Sequence, residues 1–297
     1  MAFTFKSAIA GIGDKVIYDN FSGLDLGTPE WSDNLYFNGN IRRTLSHQSS
    51  SLAQRLIELL VHYRTELSQV PLDSPVCLLL PRITDKTDIA KILKAVQEVL
   101  LNVHEDRPLF CFPYGHASFL LALKRISALS FSPYGCWVLS LDTSAVFCVG
   151  TEYQQFEDIK TDSLLLAHIE SGDIGLEASE VQIDIYSQAY VSGVESVMLS
   201  LASLCNHELT DICLTFDSND VSNWQPQLSR FSPWITQKTN YQFNNLINGE
   251  MGASSGLLQS LILFEQQKKK PAPSFHALQL DNDPYGMAAG VLYRWHS

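Results

Sequence analysis

Apolar residues in this chain follow two alternating spacings, and the alternation predicts an α/β fold. Residues 76–80 (Val-Cys-Leu-Leu-Leu) form a short continuous apolar run closed by Pro81, as in a strand buried on both faces. Residues 109–112, 136–141, 164–169, 180–185 and 212–216 read as strands too, as does a first strand over 8–12. Between them the period lengthens. Residues 49–67 place apolar side chains at Leu52, Leu56, Leu59, Leu60 and Tyr63, and 85–103 place them at Ile89, Ile92, Leu93, Val96, Val99 and Leu100; both are helical spacings. Helices are also expected over 116–129, 188–204 and 252–267. The tail holds strands over 275–280 and 288–295, and the intervening Asp281-Asn282-Asp283-Pro284-Tyr285-Gly286 is turn chemistry for a hairpin with a long loop. Residues 14–47, rich in Asp, Asn, Gly and aromatics, are expected to be irregular.

Two segments resemble each other. Gly115-His116-Ala117-Ser118 opens the apolar helix 119–123, and Gly252-Ala253-Ser254-Ser255-Gly256 opens the apolar helix 257–261. A helix without a wide polar face belongs in the middle of a protein. Small residues in its first turn let the backbone press close to a neighbour. One such helix per half predicts a duplicated fold, with a helical layer between two sheets and halves spanning 1–155 and 156–297.

Composition narrows the function classes. Of 297 residues, 45% are hydrophobic and 18% charged, a globular balance that excludes disordered, collagenous and coiled-coil chains. The formal net charge of −12 argues against nucleic-acid binding, which concentrates Lys and Arg. The run Lys268-Lys269-Lys270 reads as a solvated helix C-terminus. No stretch approaches the ~20 apolar residues of a membrane span, and the N-terminal segment reads as a strand and turn rather than a signal peptide. The six cysteines form no Cys-x-x-Cys pair and lie mostly in apolar segments, as buried thiols of a cytoplasmic protein would. No Cys/His cluster has zinc-ligand spacing, so no metal is expected. Gly11-Ile12-Gly13 lacks the third glycine and the helix of a dinucleotide loop. No Walker loop, Gly-x-Ser-x-Gly elbow or His-Glu-x-x-His helix occurs, so no cofactor is indicated.

The segment Phe110-Cys111-Phe112-Pro113-Tyr114-Gly115-His116-Ala117-Ser118-Phe119-Leu120-Leu121-Ala122-Leu123 resembles the nucleophile turn and following helix of the thiolase superfamily, and within it of the β-ketoacyl synthases. Asn248-Gly249-Glu250-Met251-Gly252-Ala253-Ser254-Ser255-Gly256-Leu257 is similar to that family's Asn-x-Gly-His-x-x-Ala-Ala-Gly-Leu. The resemblance implies a five-layer αβαβα fold with two pseudo-repeated halves. It also implies a catalytic cysteine and two histidines, and at those positions this chain differs. His116 stands where the nucleophilic cysteine is expected, Glu250 where the motif has its histidine, and Ser218, within Asp217-Ser218-Asn219-Asp220, where a third histidine belongs. Cys111 lies five residues before His116 in the preceding strand and reads as a core thiol. No catalytic residue of the family is therefore expected. Gly115, Ser118, Asp217, Gly249, Met251 and Gly286 are candidate linings of the degenerate pocket.

The resemblance leaves three uses open. One is a binding or accessory protein, as for the degenerate thiolase-like proteins that assist effector loading in type VI secretion. Another is a chain-length-factor-like partner of an active ketosynthase. The third is an acyl-transfer enzyme using His116 and Glu250 as an acid–base dyad. A protein partner and a homo- or heterodimer follow from the first two, with residues 109–112 as the dimer seam by resemblance. The acidic balance favours a neutral or basic partner surface.

Overall fold

The computed structural model describes residues 2–19, 21, 30–31, 41–45, 51–101, 108–144, 160–185, 193–215, 224–243, 249–272, 274–283 and 287–297. The first part of the chain forms strands β1 (Ala2–Ile12), β2 (Lys15–Tyr18), β3 (Glu30–Trp31) and β4 (Ile41–Arg43), then helices α1 (Leu52–His62) and α2 (Arg64–Leu67). Strand β5 (Val76–Leu79), helix α3 (Lys86–Leu101), strand β6 (Leu109–Phe112), helix α4 (Ser118–Leu129) and strands β7 (Cys136–Thr143) and β8 (Lys160–Gly172) follow. Next come β9 (Gly175–Ala178), β10 (Gln182–Ile185), α5 (Gly193–Leu204), β11 (Asp211–Leu214) and β12 (Asn240–Gln242). Helix α6 (Ser255–Lys269) and the hairpin β13 (His276–Asp283) and β14 (Met287–His296) close the chain. Single 3-10 turns, Gly115–Ala117 and Gly252–Ser254, lead into α4 and α6.

The topology repeats. One set of strands runs β6-β5-β7-β8-β1, with β6, β5 and β7 parallel and the next two pairings antiparallel. The other runs β12-β11-β13-β14-β10 with the same sequence of directions. Strand β9 extends the outer edge of β14 and meets β1 at Phe3 and Leu176, joining the two sets edge to edge.

Side-chain alternation along the strands builds the layers, because successive residues point to opposite faces. Cys77, Leu79, Cys136, Val138, Leu165 and Ala167 face a central core shared with α4 and α6. Their neighbours Val76, Leu78, Trp137, Leu139, Leu164 and Leu166 face an outer core with α1 and α3. The second sheet does likewise. Cys213, Ala277, Ala289 and Val291 point to the central core, while Ile212, Leu214, Leu278 and Leu280 meet α5 on the far side. The order is helix, sheet, helix, sheet, helix: the duplicated five-layer architecture expected from the sequence.

The differences from the sequence expectation have local causes. Strand β1 starts at Ala2 rather than at residue 8, because buried Phe3 and Phe5 alternate with outward Thr4 and Lys6. Strand β8 begins earlier than expected because its polar Asp162 and Ser163 are buried and bonded. The helix expected over 49–67 breaks at Tyr63, whose ring lies under Gly11 and whose hydroxyl donates to the Gly13 carbonyl. A β-carbon at Gly11 would sit 2.4 Å from that ring, so this glycine serves packing. The region 14–47, expected to be irregular, contains β2, β3 and β4. Strands β9 and β12 and the 3-10 segment Gln225–Phe231 were not anticipated; all are short and of mixed polarity.

Candidate functional site

The two 3-10 turns meet in the central layer, and two of the residues singled out by sequence, His116 and Glu250, come together there. Gly115 (φ 59°) and Gly252 (φ 44°) each adopt the left-handed backbone that glycine tolerates, one at the start of each turn. His116 projects from the first turn and Glu250 precedes the second. His116 Nε2 lies 2.6 Å from Glu250 Oε1, and both side chains are largely buried. A carboxylate only accepts, so an ionised Glu250 places the imidazole proton on Nε2. The same Oε1 accepts the Gly252 N–H at 2.8 Å, which fixes the carboxylate against the helix start.

Two further carboxyls flank this pair. Asp142, near the end of β7, accepts the Ala253 N–H at 2.6 Å. Burial, with the nearby Glu250 charge, pushes its carboxyl up to about 7 despite that hydrogen bond. A β-carbon at Gly252 would lie 2.2 Å from Asp142 Oδ2, so only glycine lets the carboxyl approach. Asp281, in β13, is also fully buried and pushed up to about 7 by desolvation, opposed by the Gln279 amide and by His116. Sequence reasoning gave Asp142 no role and assigned Asp281 to the hairpin turn, whereas β13 continues to Asp283 and buries Asp281. The available signal was the pair of tails Leu139-Ser140-Leu141-Asp142 and Leu278-Gln279-Leu280-Asp281, apolar strands that each end on an acid.

The other expected site residues that lie among the described ones surround this centre. Ser118 is buried with its hydroxyl between the carbonyls of Leu80 (3.0 Å) and Phe112 (2.9 Å), and it accepts the Tyr114 N–H. It ties α4 to the ends of β5 and β6. Gly249 (φ 86°) and Met251 are buried beside Glu250, and Gly115 donates its N–H to Leu80 O. Asp217, Ser218 and Gly286 lie outside the described residues.

Below the turns, polar side chains join the layers. Ser254 bridges Ser140 (3.0 Å) and Ser163 (3.1 Å) of the first sheet. Ser260 reaches Gln279 (2.9 Å) and Tyr293 (3.1 Å) of the second. Asp162 binds Arg55 through Nε (3.2 Å) and Nη2, and accepts from Thr143 (2.6 Å) and Leu45 N (2.8 Å). This buried ion pair lies across the β7–β8 ladder from Thr143, the residue after Asp142.

No described cysteine lies at the start of α4 or α6. Burial pushes the Cys111 thiol up to about 11 and raises Cys205 and Cys213; a hydrogen bond to Cys77 and burial raise Cys136. Such thiols stay protonated and poorly nucleophilic. Cys148 lies outside the described residues.

No family model and no curated protein matches the sequence. Solved structures do match the fold. The ishigamide ketosynthase/chain length factor superposes with a TM-score of 0.66 at 11% identity, over 100% of both chains. This chain has the thiolase fold. The ketosynthase from module 6 of the Bacillus subtilis bacillaene synthase gives 0.62 at 8% identity, over 100% of this chain and 71% of that one. A 3-oxoacyl-(acyl-carrier-protein) synthase III gives 0.56 at 10%, over 98% and 99%. In this thiolase fold the His116–Glu250 pair sits at the meeting point of the two repeats. There it can hold and relay a proton, but it offers no sulfur nucleophile.

Proposed function

We propose that this chain is a non-condensing thiolase-fold protein of the cytoplasm that acts as a partner subunit of a condensing enzyme, in the manner of a chain length factor. The observation that carries the reading is the turn before α4. It holds His116 in a hydrogen bond to Glu250, where covalent acyl transfer would need a thiolate at a helix N-terminus. The full-length likeness to a ketosynthase/chain length factor supports the partner role.

The partner surface in this reading is the outer edge of β6. Phe110 and Phe112 there are half-buried, and Tyr114 at the strand's exit is exposed. An apolar strand with an open edge is a ready template for pairing with another chain. The equivalent edge strand of the second sheet, β12, carries Tyr241 between Asn240 and Gln242, whose side-chain amides both donate to Asp211.

The test is co-expression with the condensing enzymes encoded by the same genome, followed by light scattering and native mass spectrometry. A 1:1 complex with a ketosynthase, lost on Phe110→Asp, is the expected result. Recovery of the chain only as a homodimer, or only with a secretion effector, would replace the chain-length-factor role with an accessory one.

A second reading is favoured by the 2.6 Å contact itself: an acid–base dyad that transfers or hydrolyses acyl groups without a covalent intermediate. It requires turnover of acyl thioesters that His116→Ala abolishes while the protein stays folded. Absence of turnover in the native protein rejects it.

A further inference from the structure

A cavity of about 570 Å³ opens on the second sheet, beside the start of β13 and under the end of α5. It lies toward the opposite end of β13 from Asp281 and shares no residue with the His116–Glu250 centre. Its volume is in the range that takes a small organic ligand.

Three features of its wall define what it can hold. The Arg294 Nε donates to Glu177 Oε2 at 2.7 Å, which fixes the guanidinium and leaves its terminal nitrogens for another acceptor. Such a fork suits a carboxylate. The His276 Nδ1–H donates to the Ser274 carbonyl at 3.2 Å, which leaves the Nε2 lone pair as the ring's acceptor, with no donor to it among the described residues. Burial lowers the pKa of this imidazole, which keeps it neutral and accepting near pH 7. The ring of His207 stacks on it at 4.3 Å and 25°. Leu204, Leu209 and Leu292 supply the apolar part of the lining. Cys205, also in the wall, donates its thiol to the His207 carbonyl, and burial raises its pKa, so it offers no nucleophile.

We propose that this cavity binds a small carboxylic acid that carries a hydrogen-bond donor and an apolar tail. Arg294 takes the carboxylate, His276 Nε2 accepts from the donor, and the leucines meet the tail. The site is independent of the partner role proposed above. It accounts for the pairing of His207, in the connection before β11, with His276 at the start of β13, which the layered core does not require.

Lactate, alanine and propionate test it, because they differ only in the group on the carbon beside the carboxylate: hydroxyl, ammonium or hydrogen. Ring-proton NMR of His207 and His276 in the full chain reads binding, and thermal melting verifies that the variants fold. Saturable shifts with lactate or alanine, with propionate about tenfold weaker, are expected for one lost hydrogen bond. A response to lactate alone or to alanine alone supports the proposal and identifies the donor. Arg294→Gln should abolish binding of all three. His276→Ala, read on His207, should erase the preference over propionate. No saturable shift, equal affinities for the three in the native protein, or unchanged binding in Arg294→Gln overturns the proposal.

Discussion

The turn that opens α4 and the turn that opens α6 are backbone twins with different chemistry. Tyr114 (φ −119°, ψ 20°) matches Met251 (φ −112°, ψ 2°), and Ser118 (φ −55°, ψ −42°) matches Ser255 (φ −59°, ψ −49°). The first is tied by neutral groups, through Gly115 N–H to Leu80 O and Tyr114 N–H to Ser118 Oγ. The second is filled by acids, with Glu250 on the Gly252 N–H and Asp142 on the Ala253 N–H. The positive end of the α6 dipole is therefore satisfied by the chain's own carboxylates. The fold repeats a backbone and gives its two copies different side chains, an imidazole on the first and a carboxylate beside the second. A few substitutions at such a turn can remove or relocate chemistry while the layers stay intact.

The helices behind the turns differ as well. Helix α6 is buried almost all round as far as Gln267, whereas α4 exposes Lys124 and Arg125 and lays Arg125 over Phe110 at 4.7 Å. The first repeat is thus open along β6 and α4, and the second is closed by its own chain.

The largest expected effect concerns the two buried aspartates. Asp142 and Asp281 both have folded-state pKa values raised to about 7 from an ordinary value of 3.8. The unfolded chain releases these protons first, so the contribution of the two groups to stability is fullest below pH 4 and falls as pH rises toward 7. The loss is on the order of 4 kcal/mol for each group. Urea unfolding across this range should show the fall, and Asp142→Asn or Asp281→Asn should each remove part of its slope. A slope unchanged in both variants contradicts the account.

The glycines come next. Gly252→Ala combines a left-handed backbone with displacement of the Asp142 carboxyl, and should cost about 2–4 kcal/mol. Gly115→Ala should cost about 1–2 kcal/mol from the backbone. Equal losses in denaturant midpoints would mean that the Asp142 contact does not distinguish the twins. Smallest is the coupling of His116 to Glu250. A double-mutant cycle with His116→Ala and Glu250→Ala should give about 1–2 kcal/mol, and additive losses would deny the hydrogen bond.

Much of this was legible in the sequence because apolar periodicity is strong where strands are covered on both faces, as at β5 and β7. The small-residue turns at 115–118 and 252–255 announced the duplication and brought His116 to Glu250. What periodicity missed were polar residues held inside by partners far along the chain. Asp162 looks like a loop residue until Arg55 is placed against it, 107 positions away. The same holds for Asp142 on Ala253, 111 positions away. Burial of such groups follows from tertiary hydrogen bonding, to which one-dimensional patterning is blind.

The central claim of the proposed reading is that the turn before α4 presents His116, and no sulfur nucleophile, at the meeting point of the two repeats. Intact-mass spectrometry after incubation with an acyl thioester tests it directly. An unchanged mass is expected, with no acyl group on any of the six cysteines. A stoichiometric acyl adduct that survives denaturation and maps to a cysteine would contradict the account.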